Sequence, residues 1–210
     1  MQSRRVDFKL YLITDRKLFA DAAELFTAVE EALRGGVRAV QLREKDLAVR
    51  DVLEMAYMMR ELTNRYNAKL FINDRVDVAM AVNADGVHLV GAGIPPQAAR
   101  KAAGDALIIG VSTHSIAQAK SAEREGADFI TIGPVYETPL KMRYGAPLGL
   151  DILEKVKDGV AIPFFAIGGI KKEKIAEALR AGAYGVALIS GILGSEDIYN
   201  ETKEFVRLLK

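Results

Sequence analysis

The chain has 210 residues, half of them apolar and about a quarter charged; this is ordinary globular composition, long enough to bury a full core and near the lower size limit of one (β/α)8 barrel. Lys and Arg number 29 against 28 Asp and Glu, so no global charge recommends nucleic acid or a membrane surface as partner, and any anion site must be local. Cysteine is absent, which excludes a disulfide framework, a thiolate metal site and a thiol nucleophile and accords with a cytoplasmic location.

Met1 to Asp7 is short and polar and has no apolar secretory core, and no apolar run approaches the ~20 residues of a membrane span. Beyond it, eight short β-rich runs begin near Phe8, Val37, Lys69, Gly86, Leu107, Asp128, Pro163 and Tyr184. Amphipathic segments separate them, among them Ala22 to Leu33, Val49 to Arg65, Ile116 to Glu125, Ile175 to Ala181 and Ile198 to Leu209, with apolar residues returning every three or four positions. Gly35, Gly104, Gly126 and Gly182 each follow a helical run, where a left-handed residue is cheapest for glycine. The alternation predicts βαβ units and a parallel sheet. A doubly wound sheet would carry a Gly-rich turn after its first strand, but Thr14-Asp15-Arg16 stands there. The expected fold is therefore α/β, a single (β/α)8 TIM barrel domain over residues 1–210. Its longest loop, Gly133 to Pro147, reads as a lid or binding loop or as a tolerated insertion. Val52 to Met59 would serve a homodimer as easily as the barrel wall.

Candidate chemistry gathers at the C-terminal strand ends, where barrels of this kind place their sites. Gln41, Arg43 and Lys45 share one face of the second strand and its extension, and suit an anion or heterocycle; an ion-pair cluster with Glu44 and Asp46 is the alternative. Asn73-Asp74-Arg75 ends the third strand, with Asp77 on the following helix. Asp74 reads as an N-cap or a lone Mg²⁺ ligand. Ser112 and His114 share a face at the end of the fifth strand. An imidazole at the mouth can move a proton on carbon or oxygen, which makes His114 the best general acid/base candidate, whereas His88, inside the fourth strand, reads as a hydrogen-bonded core residue. Gly168-Gly169 after the seventh strand and Ile189-Ser190-Gly191 after the eighth stand where such barrels cradle phosphate on backbone N–H groups.

These motifs, together with Tyr11 to Asp15, Gly86 to Leu89 and Gly133 to Thr138, resemble the thiamine phosphate synthase/TenI family, in order and over nearly the whole chain. The resemblance implies a barrel of thiamin biosynthesis. Gly168, Gly169, Ile189 and Ser190 would hold a thiazole phosphate, and Gln41, Arg43, Lys45 and Asn73 a pyrimidine diphosphate, with Ser112, Thr138 and Lys141 completing the substrate site. Two departures stand out. The family's run of acidic residues after the fourth strand, one of which helps bind Mg²⁺, is replaced by Val90-Gly91-Ala92-Gly93, and the pyrophosphate loop reads Thr138-Pro139-Leu140-Lys141 without its second Thr. Ionising a diphosphate calls for metal and donors. The site therefore reads as the TenI-like branch, a thiazole tautomerase with His114 as acid/base and no cofactor. The alternatives are a Mg²⁺-dependent thiamine-phosphate synthase, with Asp74 as metal ligand, and a non-catalytic regulator that binds thiazole phosphate.

Overall fold

The computed structural model describes residues 6–91, 93–137 and 146–210. Eight parallel strands close into a barrel in chain order: β1 Leu10–Ile13, β2 Ala39–Leu42, β3 Lys69–Asn73, β4 Gly86–Leu89, β5 Ile108–Thr113, β6 Phe129–Ile132, β7 Phe164–Ile167 and β8 Gly185–Leu188, the last pairing with β1. Around it run α1 Ala22–Gly35, α2 Val49–Arg65, α3 Val76–Ala81, α4 Pro96–Ala103, α5 Ile116–Arg124, α6 Asp151–Gly159, α7 Lys172–Arg180, the short α8 Ser190–Leu193, and α9 Ile198–Leu208. The expected TIM barrel is thus the observed one. None of the described helices is long and apolar enough to cross a membrane.

Strand parity sorts side chains into two cores. Outward residues such as Leu12, Val40, Leu70, Ile109 and Val186 meet the apolar stripes of the helices. Inward residues fill the barrel, and its lower layers are aromatic: Phe8, Tyr11, Phe71, Phe129 and Phe165 form one cluster. Their rings pack edge to face or stacked, with centroids 5.2 Å apart for Phe8 and Phe165 and 5.5 Å for Phe71 and Phe129. Five large rings fit because β4 and β5 give up their inward side chains at that level. A Cβ on Gly86 would strike the Phe71 ring, and one on Gly110 would strike Phe129 and His88.

Helix ends follow the sequence with one shift. Asp21, Ser115 and Asp197 cap α1, α5 and α9 through their side chains. The left-handed residue after α1 is Gly36, at φ 115°, and not the expected Gly35. Gly35 is the buried last residue of α1, where a Cβ would lie 2.6 Å from Thr202 of α9, so its missing side chain lets the two helices approach. Within Val52 to Met59, Met55, Ala56 and Met59 are buried in the wall, while Tyr57 and Met58 remain exposed.

Candidate active site at the barrel mouth

Above the aromatic layer the inward side chains turn polar. Gln41, on β2, donates from Nε2 to the Tyr11 hydroxyl at 3.1 Å, and that hydroxyl lies 3.4 Å from His88 Nδ1. The second imidazole nitrogen, Nε2, lies 3.0 Å from Ser112 Oγ on β5 and 3.5 Å from Thr131 Oγ1 on β6. Burial and then the nearby Arg43 charge push His88 down to about 3, so the ring is neutral at ordinary pH. The neutral ring thus links the Tyr11 hydroxyl on Nδ1 to the Ser112 hydroxyl on Nε2. Thr131 is a member of this network that the sequence motifs did not single out, and Tyr11 stood in a motif without being given a role. Their signal was parity, because each lies on an inward strand position below the mouth.

The cations of β2 are placed by a buried clamp. Glu44 accepts from the Thr14 hydroxyl at 2.7 Å and from the Arg16 backbone N–H at 3.2 Å, and Thr14 Oγ1 in turn accepts from the Arg43 N–H at 2.9 Å. Burial raises the Glu44 carboxyl, with the Thr14 and Arg16 bonds pulling the other way. The loops after β1 and β2 are thereby tied together. Asp46 faces outward to Arg16 at 2.9 Å and Lys17 at 3.2 Å. The neighbouring acids are therefore engaged with the first loop, and among the described residues neither Arg43 nor Lys45 has an ion-pair partner within salt-bridge distance. Burial and the like charge of Arg43 lower Lys45, and Asp74 opposes them. The mouth is locally electropositive in a chain of almost no net charge.

Asn73 ends β3, in register with His88 on β4. Asp74 follows with a left-handed backbone, φ 61°, and its carboxylate accepts from the Val90 N–H at 3.4 Å. It is not an N-cap: α3 starts after Arg75 without a side-chain cap. Asp77 forms an ion pair with Arg75 outside the mouth. His114, just past β5, is solvent-exposed and its Nδ1 lies 2.5 Å from the Gly133 carbonyl oxygen. A carbonyl only accepts, so Nδ1 carries the proton. Ser115 beside it caps α5.

Across the mouth, Gly168 and Gly169 have φ of 94° and 66°, conformations that L side chains rarely adopt. A Cβ on Gly168 would also lie 2.6 Å from Pro134, and one on Gly169 2.8 Å from Tyr136, so the loop after β6 packs directly on them. Among the described residues neither glycine amide donates a hydrogen bond. Ser190 is exposed at the start of α8, and Gly191 is 3.5 Å, by its would-be Cβ, from the Ile170 carbonyl. The turns after β7 and β8 therefore adjoin on one rim. Thr138 and Lys141 lie outside the described residues, as does most of the Gly133 to Pro147 loop expected to act as a lid. A separate groove of about 680 Å³ between the starts of α1 and α9 is lined by Asp21, Glu24, Glu31, Glu196 and Asp197 with no Lys or Arg, and so repels phosphate.

With the geometry in place, comparisons identify its kin. The profile of the family described as thiamine monophosphate synthase matches residues 10–192. A putative thiamine-phosphate synthase of Geobacter sulfurreducens is 53% identical over 98% of this chain and 96% of its own length. The thiamine-phosphate synthase of Clostridium novyi is 41% identical over 97% and 99%. In three dimensions, a thiamine phosphate pyrophosphorylase from Pyrococcus furiosus superimposes with a TM-score of 0.86 at 40% identity, covering 96% and 95% of the two chains. These names correct the expectation of a thiazole tautomerase, with His114 as its acid/base, because they are all names of the coupling reaction. Weighing two missing donors above full-length likeness led that expectation astray. The chain belongs to the thiamine monophosphate synthase family.

Proposed function

We propose that the protein is a thiamine-phosphate synthase, which joins a pyrimidine methyl diphosphate to a thiazole phosphate and releases pyrophosphate. The observation that carries this reading is likeness along the whole chain to proteins of that name, at 40–53% identity. The electropositive mouth supports it. In this reaction the C–O bond to the diphosphate breaks, pyrophosphate leaves with the electron pair, and the thiazole nitrogen donates its lone pair to the freed methylene carbon.

Each part of the mouth has a task in that scheme. Arg43 and Lys45, unclaimed by acids, meet the negative charge that grows on the leaving pyrophosphate, and they do so in a partly dehydrated site where charge stabilisation is strongest. Gln41, Asn73 and Ser112 line the pyrimidine pocket, and neutral His88 orients the Ser112 hydroxyl without adding a positive charge beside a forming carbocation. The amides of Gly168, Gly169, Ile189 and Ser190 hold the thiazole phosphate on the opposite rim. By the resemblance of their motif, Thr138 and Lys141 would serve the leaving pyrophosphate. His114 takes no proton in this scheme and serves as a loop contact between β5 and β6.

The decisive assay incubates the purified chain with both substrates and follows thiamine phosphate and pyrophosphate together. Equal release of the two products is expected. A folded protein that binds both substrates and forms neither product would refute the synthase reading and select a binding-only role.

A further inference from the structure

The acids around the mouth do not make a divalent cation site. Among the described residues there is no group of three or more His, Cys, Asp or Glu placed to hold a metal ion. In sequence, 138–145 contains no acid and no histidine, and neither does 89–95. Glu44 is committed to Thr14 and Arg16, Asp46 to Arg16 and Lys17, and Asp77 to Arg75. Only Asp74 remains.

Asp74 also occupies the space where a second carboxylate would attach. The loop after β4 turns back through a Gly93 N–H to Val90 carbonyl bond of 2.9 Å, and a Cβ built on Gly93 would overlap Asp74 Oδ1. The same carboxylate accepts from the Val90 amide. Asp74 is thus folded onto the loop that lacks the partner acid, and it is not poised beside a vacant ligand position. A Mg²⁺ ion keeps most of its water and needs at least one or two carboxylates plus phosphate oxygens to stay bound. In the free protein, one carboxylate that is already hydrogen-bonded, with no phosphate oxygens beside it, supplies too little.

We propose that this protein has no resident divalent cation: any Mg²⁺ reaches the mouth only as part of the substrate's own diphosphate complex, with Asp74 as the carboxylate that meets it at the ends of β3 and β4. The part concerning the free protein stands on the donor set alone, while the part concerning the diphosphate rests on the proposed function.

The two parts separate by experiment. Manganese, as a paramagnetic stand-in for magnesium, is titrated into the full chain, and free Mn²⁺ is read by electron paramagnetic resonance. Wild type is expected to leave the free-ion signal at its buffer value up to millimolar metal, and Asp74→Asn to behave identically. One ion bound per chain at micromolar Mn²⁺ overturns the proposal, and its loss in Asp74→Asn would place that ion at Asp74. Gly93→Asp, its fold checked by circular dichroism, displaces Asp74 and supplies the second carboxylate, so it is expected to bind Mn²⁺ at least tenfold more tightly than wild type. A folded Gly93→Asp that gains nothing counts against the account, and if it does not fold the wild-type titration decides alone. In turnover, the rate should follow the concentration of the metal–diphosphate complex and stay flat when free Mg²⁺ is varied at constant complex. A separate saturable dependence on free Mg²⁺ overturns the second part, and absence of all turnover bears on the proposed function and leaves the Mn²⁺ result standing.

Discussion

The two ends of this barrel handle charge in opposite ways. At the N-terminal rim two arginines are paired in the same way: Arg60 meets Asp85 at 2.5 Å, and Arg100 meets Asp128 at 2.7 Å. Each of those carboxylates also accepts from a strand amide, Leu70 for Asp85 and Ile109 for Asp128. This repeated clamp holds β3 and β5 in register with the neighbouring strand entries. At the C-terminal rim the acids of the Glu44 to Asp46 segment are drawn away into the first loop, and Arg43 and Lys45 are left facing the mouth. Unpaired, partly dehydrated charge lowers stability. It is worth keeping only where a ligand supplies the missing charge. One rim is built for stability and the other for binding.

That contrast can be broken or sharpened by four substitutions. The largest expected effect lies beneath both rims. Phe129→Ala removes the ring that touches Phe8, Tyr11, Phe71 and Phe165, and should cost about 3–5 kcal/mol in chemical denaturation. A smaller loss would mean that the aromatic layer collapses around the gap. Next, Arg43→Ala should lower kcat/KM for synthesis by about 10²–10³-fold, with no loss of stability in the same denaturation assay. If it unfolds the protein instead, Arg43 belongs to the scaffold and the contrast between rims fails. Asp128→Ala should do the reverse. It takes the carboxylate from Arg100, which keeps its backbone carbonyl bonds, and the acceptor from the Ile109 amide, and should cost on the order of 1–3 kcal/mol, with turnover per folded molecule unchanged.

The last effect is a slope with pH, modest over any single pH unit. The His88 imidazole is lowered to about 3 in the fold from its ordinary 6.5, first by burial and then by Arg43. Its contribution is present above the unfolded value and is lost as pH falls towards the folded one, because the unfolded chain takes up a proton there and the native state does not. Between pH 6 and pH 4 wild type should lose about 1.4 kcal/mol of stability per pH unit from this group. In His88→Gln that component should vanish, leaving a flatter profile. Parallel profiles for the two proteins would mean that the imidazole is not buried in its neutral form.

Much of this was legible in the chain before folding. Parallel strands buried on both faces read as apolar runs, so KLFIN and GVHL begin where β3 and β4 begin. Alternation along β2 put Ala39, Gln41 and Arg43 on one face, and they line the lumen from its floor to its mouth. Less legible was the difference between Glu44 and its neighbours. All three charges of Arg43-Glu44-Lys45 look alike in sequence, and only the approach of Thr14, 30 residues away, pulls the middle one into a buried clamp. The reaction was misread for a related reason. One absent carboxylate and one absent hydroxyl do not separate this chain from relatives named thiamine-phosphate synthase, to which it is similar along its whole length.

By itself, then, the sequence determined the number and order of the strands, the helices between them, and which side chains could face the lumen, since these follow from local periods of two and about 3.6 residues. The tertiary structure alone decided which of those groups would be neutral, engaged or unpaired. Tyr11, Gln41, His88 and Ser112 come from four strands, and Asp74 and Gly93 from two loops. Their distances are set by closing the barrel, and no local pattern along the chain encodes a contact that exists only once β8 has paired with β1.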